Sequence, residues 1–441
     1  MIRKIIIIAT ACMMAVSLHA QQIISLEKCK ELALQNNAKA RNSQLSLDAA
    51  EQMKKEAFTK YFPSVSGTAM GFRANDPMMS MDLPLGALMG DPTAPPMSFG
   101  MLEKGMIGAV MAMQPVFAGG QIINGNKLAK LGVEVAELQK TMSDDEILLT
   151  VEQYYWQIVA LEEKTKTIAE AETLLNRVYD DVKDAMDAGL VNRNDLLKVE
   201  LKQNELESGK LKLANGLRLA KTVLAQFIGL QPDNFDIDKT LVENVSLFLA
   251  APADHQSALS RRAEYLLLEK SIEAGELQVK METGKHLPTV AVGAGWNYMK
   301  FDGGSSHEMK QDFGMVFATV SVPITDWWGG SHAVKKQKIQ LQIAENDKRN
   351  AEEMLLIQMQ LLLNDVEEAA GQVQLADKAI AAALENVRLN TDYYEAGTGL
   401  LTDLLDAQNS LQQARDQHTE AATVFCIKLV RYRQATGQQR I

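Results

Sequence analysis

Side chains able to do chemistry are few in this chain and poorly grouped. Six histidines, His19, His255, His286, His307, His332 and His418, are scattered over 441 residues, and neither they nor the three cysteines show ligand spacing. A metal site therefore has no basis in the sequence. No nucleophile, base and oxyanion set is recognisable and no glycine-rich phosphate loop follows a strand, so an enzyme or a bound cofactor is not expected. What remains is a recurring pairing of a glycine with a carboxylate. Gly189 precedes Asp195, and Gly397 precedes Asp403 and Asp406. Such a glycine closes a helix by taking positive φ. A carboxylate in the first turn of the next helix favours the positive end of its dipole by about 0.3 to 1 kcal/mol. Between them lie Leu190 and Val191 in one case, Thr398 and Leu400 in the other, and the leucines and valine are apolar side chains that a solvent-facing turn does not need.

The elements that position these turns follow from where proline is absent. All eleven prolines fall at 63 to 115, at 232 and 252, and at 288 and 323. The stretches between are rich in Ala, Leu, Glu, Gln and Lys, as long helices require, since an interior proline costs about 3 kcal/mol. Ile147, Val151, Tyr154, Tyr155, Ile158 and Leu161 recur at helical spacing, as do Leu355, Met359, Leu362, Leu363 and Val366. One helix over 121–187 would be roughly 100 Å long, which reads as coiled coil or helical repeat. After residue 20 no apolar stretch reaches the ~18 residues of a membrane-spanning helix. The proline zones open onto strand-like runs instead. In one of them Val290, Val292, Ala294, Trp296 and Tyr298 share a face at period two.

Composition narrows the class further. The 46% hydrophobic content excludes disorder, and 6% aromatic residues disfavour a β-sandwich. A net charge of −11 argues against nucleic acid as a partner. Arg3 and Lys4 followed by an apolar run to Val16 read as a cleaved signal peptide over 1–20. Neither Cys12 nor Cys29 stands where a lipoprotein would be acylated, so no lipid anchor is expected. Cys29 and Cys426 would either pair, if the fold brings the two ends together, or serve as small buried hydrophobes.

Two halves align. Pro115 matches Pro323, Gly189 matches Gly397, Asp195 matches Asp403 and Gly229 matches Gly437, all at an offset of 208. The first repeat is 21–252, with strands at about 62–73 and 105–117, an enlarged Met- and Pro-rich loop over 74–104, and helices at about 121–187 and 192–228. The second is 253–441, with strands at about 288–301 and 312–325 and helices at about 331–395 and 401–436. Gly119-Gly120 and Gly329-Gly330 are expected to turn the chain from strand to helix. Four strands leave two open edges, which hydrocarbon does not tolerate, so other copies of the chain must close the sheet. A wide conduit favours three or more copies, because an eight-stranded barrel fills with its own side chains.

The segment 385–438, with Tyr394-Glu395-Ala396-Gly397-Thr398-Gly399 and Leu401-Thr402-Asp403-Leu404-Leu405-Asp406-Ala407, resembles the TolC-like outer-membrane efflux protein family. Ala188-Gly189-Leu190-Val191 with Asp195-Leu196 is similar to that family's first-half turn. The resemblance covers the order of elements across the mature chain. It implies a mainly α fold with a β-barrel part: a homotrimer whose twelve-stranded barrel in outer-membrane lipid continues into a periplasmic α-helical barrel. The implied function is a passive conduit of a tripartite efflux system in a Gram-negative bacterium, fed by an inner-membrane pump and a periplasmic adaptor. Gly189, Leu190, Val191, Gly397, Thr398 and Leu400 would be adaptor-docking tips. Asp403 and Asp406, with Asp195, would ring the entrance. Where family members often carry arginine this chain has Gly399, so a gate would rest on other contacts, such as Arg193 or Asp392. Tyr61, Phe62, Phe117, Trp327 and Trp328 flank the strands as membrane-interface aromatics or as helix-to-strand packing. The alternatives are a type I protein-secretion conduit and, in a different class, an exported coiled-coil scaffold without a pore.

Overall fold

A computed structural model describes residues 22–83, 90, 96–232, 235–238, 253–303, 307–324 and 326–438. The signal peptide read over 1–20 lies outside the described residues. Helices dominate: α1 (Leu26–Asn36), α2 (Ala38–Thr59), α3 (Gln121–Asp187), α4 (Arg193–Ile228), α5 (His255–Leu259), α6 (Ala263–Gly284), α7 (Asp326–Glu395) and α8 (Leu401–Ala435). The strands are β1 (Gln22–Ile24), β2 (Ser64–Arg73), β3 (Met79–Leu83), β4 (Met97–Met101), β5 (Lys104–Ala118), β6 (Phe235–Ile237), β7 (Thr289–Gly303) and β8 (His307–Ser321). At 67 and 70 residues, α3 and α7 run without a proline and would each extend roughly 100 Å. Among the described residues no helix is long and apolar enough to cross a membrane.

Contacts gather into two units, each drawing on both halves of the sequence. The first takes the chain up to Leu47, Ala136–Leu268 and Lys348 onward. Its core is a seam of the long helices. Ile147, Val151, Tyr155 and Ile158 of α3 are buried with Leu224 and Ile228 of α4, Val366 and Ala370 of α7, and Phe425 and Tyr432 of α8. The helical spacing read at 147–158 is thus a buried stripe, while Tyr154 packs at its margin. Parallel β1 and β6 cover one part of this core through Ile24, Phe235 and Ile237. Tyr155 Oη donates to the Asp238 carbonyl at 2.7 Å, and Tyr432 Oη accepts from the Ala253 amide at 3.0 Å, so both buried rings satisfy their polar ends. Cys29 and Cys426 form no disulfide and lie buried in the same core, which settles their alternatives in favour of buried hydrophobes. Burial, with Glu27 nearby, pushes the Cys29 thiol up to about 12.

The second unit takes Asp48–Val135 and Glu269–Asp347 and holds a four-stranded antiparallel sheet in the order β2-β5-β7-β8. The hairpins β2–β5 and β7–β8 are joined by the β5–β7 pairing, leaving β2 and β8 as edges. Pro115 has no N–H, and the β5–β7 register slips beside it, between Pro115 and Phe117, beyond the last β2 partner at Met113.

Three particulars differ from the sequence reading. The segment expected as a loop over 74–104 carries the short hairpin β3–β4, paired from Met79 with Met101 to Leu83 with Met97. Strand β8 occupies 307–321 rather than about 312–325, and α7 begins at Asp326. Gly119 and Gly120 do turn the chain, at φ +56° and +75°, but Gly329 and Gly330 lie inside α7. Gly330 answers a packing need: a Cβ there would come within 2.4 Å of the His286 ring.

Candidate functional site

The two helix-turn-helix tips of the first unit are built on one backbone motif. At the end of α3 the Gly189 amide bonds the Met186 carbonyl at 2.9 Å, and the Leu190 amide reaches back to Ala185 at 2.8 Å. At the end of α7 the Gly397 amide bonds Tyr394 at 3.0 Å, and the Thr398 amide reaches Tyr393 at 2.9 Å. Both are Schellman closures, with φ +75° at Gly189 and +71° at Gly397. Neither glycine has a neighbour within 4 Å of where a Cβ would stand, so only the backbone conformation demands it.

The tips diverge after the glycine. In the first, Asn192 caps α4 by accepting from the Asn194 amide at 2.8 Å and the Asp195 amide at 3.3 Å. Asp195 then pairs with Lys198 at 2.9 Å. In the second, Leu400 occupies the cap position of α8 and supplies no side-chain bond. The Tyr393 carbonyl accepts three bonds there, from the Thr398 and Gly399 amides at 2.9 Å and the Thr398 hydroxyl at 3.2 Å. Gly399 is drawn so close that a Cβ would sit 2.9 Å from Tyr393 Cβ and 3.1 Å from backbone atoms of Tyr393 and Tyr394. That approach holds position 399 to glycine.

Beneath the turns one apolar cluster joins the tips. Val178 and Val182 of α3, Val199 of α4, and Leu401, Leu404 and Leu405 of α8 are buried together, with Val191, Leu196 and Tyr394 packed on them. Val191 is therefore partly an anchor, whereas Leu190 and Leu400 are 80% and 67% exposed. Asp403 and Asp406 are exposed, and Asp195 is half-buried beside Lys198. Asp180, Asp181, Asp184 and Asp187 line the last turns of α3, and no basic residue occupies its final turn. Carboxylates at the negative end of a helix dipole cost stability rather than add it. Asp392 is engaged by Arg388 at 2.8 Å on its own helix, and Arg193 is exposed. Burial, with Asp181 and Asp195 nearby, raises the Tyr394 phenol above its ordinary range. Sequence reasoning named Tyr394 within the family-like segment without giving it a role, and missed Tyr393 and Lys198. Counting back from Gly397, and forward by three from Asp195, would have flagged them.

In the second unit the sheet presents two unlike faces. The strand register puts Val65, Val110, Val292, Trp296, Val316 and Val320 on one face. The other carries Ser64, Ser66, Thr68, Asn297, Gln311 and Thr319 together with Phe72, Phe301, Phe313, Phe317 and most of the sheet's methionines, while the charged Arg73, Lys104, Lys300, Lys310 and Asp312 belong to the first. Tyr61, Phe62 and Phe117 are exposed, and Phe58 holds the first two edge-to-face at 5.7 and 5.5 Å. Trp328 is 84% exposed at the start of α7. The side chain of Trp327 lies outside the described residues. A groove of about 1190 Å³, lined by Met53, Ala57, Phe62, Ile122 and Leu128 among others, runs along α2 and the start of α3. Among the described residues no group of His, Cys, Asp or Glu is placed to hold a metal ion.

Residues 255–438 match the family described as Outer membrane efflux protein, a span that includes the segment 385–438. The outer membrane protein TolC of Vibrio cholerae serotype O1 is 18% identical over 314 residues, which is 68% of this chain and 70% of that protein. The crystal structure of the outer membrane protein VceC from Vibrio cholerae superposes with a TM-score of 0.75 at 16% identity, covering 93% of this chain and 96% of that one. The open-state MtrE outer membrane channel of Neisseria gonorrhoeae gives 0.74 at 16% identity, over 93% and 88%. At these identities the structural likeness establishes the fold.

Proposed function

We infer that this chain, a TolC-like relative of the outer membrane efflux proteins, is the outer-membrane channel subunit of a tripartite efflux system. The observation that carries the reading is the four-stranded antiparallel sheet with two unpaired edges, β2 and β8. In lipid such edges must be paired, and three copies of the chain close a twelve-stranded barrel with the Val- and Trp-bearing face toward lipid and the Ser- and Asn-bearing face toward a lumen. The repeat in the sequence supplies two hairpins per subunit, and the long helices of three subunits form the periplasmic tunnel. The apolar groove along α2 is the kind of surface a neighbouring subunit covers. Export by the leader, without lipidation, delivers the chain to the outer membrane.

The tips are the docking surface for a periplasmic adaptor that links the channel to an inner-membrane pump. Leu190 and Leu400 offer exposed apolar contacts on turns fixed by Gly189 and Gly397, with Val191 and Thr398 beside them. Asp403 and Asp406, which have no ion pair among the described residues, face the entrance in three copies and attract cations, while Asp195 is compensated by Lys198. The channel itself is passive: cargo moves through water, and the pump supplies the energy. The exposed aromatics near the strand ends sit at the membrane interface.

Fractionation and bilayer recording test this. Detergent-extracted outer membranes should contain a heat-modifiable trimer that conducts ions in planar bilayers. Trivalent cations should block it, and Asp403→Ala/Asp406→Ala should relieve the block. A soluble, non-conducting monomer would overturn the channel, and unchanged block would remove the two aspartates from the entrance.

A further inference from the structure

The chain carries 56 acidic and 45 basic side chains, and many of its lysines lie beside a carboxylate, as Lys198 does at Asp195, Lys210 at Glu172 and Lys285 at Glu282. One cluster departs from this. Lys54 and Lys55 of α2 face Lys127 and Lys130 of α3 across a cleft of about 430 Å³. Among the described residues Lys54, Lys55 and Lys127 form no ion pair, and Lys130 only approaches Glu134 at 3.9 Å. Glu134 is already held by Lys270 at 2.5 Å, with Lys54 and Lys130 acting on it from farther off. Four like charges lining one cleft of an acidic protein raise a local positive potential that attracts an anion.

The cleft is graded along its length. On α2 its lining recurs as Lys54, Phe58 and Tyr61, and on α3 as Ile123, Lys127 and Lys130, in both cases the spacing of one helix face. Helix α2 runs toward β2, which begins at Ser64, and α3 runs away from β5, which ends at Ala118. Phe58, Tyr61 and Ile123 therefore occupy the end nearest the sheet, and the lysines stand one to two turns, roughly 6 to 10 Å, farther from it. The Asn126 side chain donates to the Ala57 carbonyl at 2.9 Å and fixes the two helices at this level. Phe58 and Tyr61 brace each other edge-to-face at 5.7 Å. The large groove uses other faces of the same helices: Met53 and Ala57, which line it, stand about 100° around α2 from Lys54 and Phe58. That groove is bordered by Ser64, so the lysine cleft lies across the α2–α3 seam from the Ser-bearing side.

Rings toward the sheet and ammonium groups beyond them match a phospholipid in polarity and in direction, acyl chains toward hydrocarbon and phosphate toward water. Lysine suits the task, because a point charge on a flexible stem follows a phosphate without demanding one geometry. We propose that Lys54, Lys55, Lys127 and Lys130 bind the phosphate headgroup of an anionic phospholipid, with Phe58, Tyr61 and Ile123 against its glycerol and upper acyl carbons. The proposal rests on the channel reading for a bilayer at the level of the sheet; the affinity of the cleft for the lipid does not.

The test uses the full mature protein in detergent, titrated with phosphatidylglycerol and read by native mass spectrometry, with phosphatidylcholine and inorganic phosphate as the other probes. Phosphatidylglycerol should bind more tightly than zwitterionic phosphatidylcholine. Lys54→Gln/Lys127→Gln should lower its affinity by about tenfold or more, and added salt should shrink that difference. Lys212→Gln/Lys378→Gln, which removes the same charge from exposed positions of α4 and α7, should leave it unchanged. Equal affinity in the cleft variant, an equal loss in the α4–α7 variant, or equal binding of phosphatidylcholine would overturn the site. Displacement of the lipid by inorganic phosphate at matched concentration would make it a site for free anions and overturn the lipid. If the double variant does not assemble, Lys55→Gln and Lys130→Gln should each still weaken binding, and no change in either would count against the proposal. Planar-bilayer conductance, recorded in parallel, separates the two readings. Lysine-dependent lipid binding without conductance would strike the channel and leave the site, whereas conductance with lipid binding insensitive to Lys54 and Lys127 would strike the site alone.

Discussion

The two helix tips share a closing motif and differ in how the next helix is started. After Gly189 the chain spends polar side chains on order: Asn192 caps α4, and Asp195 is tied to Lys198. After Gly397 it spends backbone instead, gathering three donors on the Tyr393 carbonyl and leaving Leu400 exposed at a helix start without a side-chain cap, with Asp403 and Asp406 exposed beyond it. One turn is held by side chains and can vary in its backbone surroundings. The other is held by close backbone approach, which frees its side chains for outside contact. The difference teaches that the second tip is the costlier to perturb sterically and the cheaper to redecorate.

The largest effect should come from adding one carbon at each tip. Gly399→Ala forces a Cβ against Tyr393 and Tyr394 backbone atoms at 3.1 Å, which cannot yield without breaking the three bonds to the Tyr393 carbonyl. An overpacking cost of about 1 to 3 kcal/mol follows. It should appear as faster amide hydrogen exchange across 391–406 by mass spectrometry. Gly189→Ala meets open space and bears only the left-handed backbone cost of about 1 kcal/mol. Equal losses of protection at the two tips would break the contrast.

Exchanging caps gives the next effect. Asn192→Ala should cost about 1 kcal/mol of order at the start of α4, and Leu400→Asn should add a similar amount to α8. If Leu400 serves adaptor contact, the second change stabilises the helix while weakening capture of the adaptor, a separation that hydrogen exchange and a binding assay can read side by side. Stabilisation with undiminished adaptor binding would return Leu400 to a purely local role.

How much of this was legible depends on whether a feature is local in sequence. The long helices announced themselves through proline-free stretches and through the 3.6-residue spacing of Ile147, Val151 and Ile158, because burial along a seam leaves a periodic trace. The glycine closures were equally readable, since positive φ demands glycine wherever the turn lies. Strand ends were not: Gly- and Met-rich segments lack alternation, so the β3–β4 hairpin and the start of β8 at His307 left no pattern. Gly329 and Gly330 resembled a turn because glycine also serves close packing, and the His286 ring that requires Gly330 comes from a distant helix end. The constraint on Gly399 depends on Tyr393 folding back upon it, which spacing alone does not reveal.

Tyr394 offers the smallest and most specific handle, because it belongs to the second tip yet feels the first. Burial and the carboxylates of Asp181 and Asp195 raise its pKa, so the folded tip holds the phenolic proton more tightly than the unfolded chain does. The resulting stability is fully present below the ordinary tyrosine value near 10 and is lost as pH rises through the higher folded value. A spin label at Leu190→Cys reads this cleanly, since Cys29 and Cys426 are buried and the Cys29 thiol ionises only near pH 12. The label should gain mobility above about pH 10, and Tyr394→Phe should remove the part of that gain which tyrosine ionisation drives. The change is modest because the ring is only partly buried. A label whose alkaline response is identical in both proteins would mean that the tips loosen independently of each other and that the shared cluster under Tyr394 does not couple them.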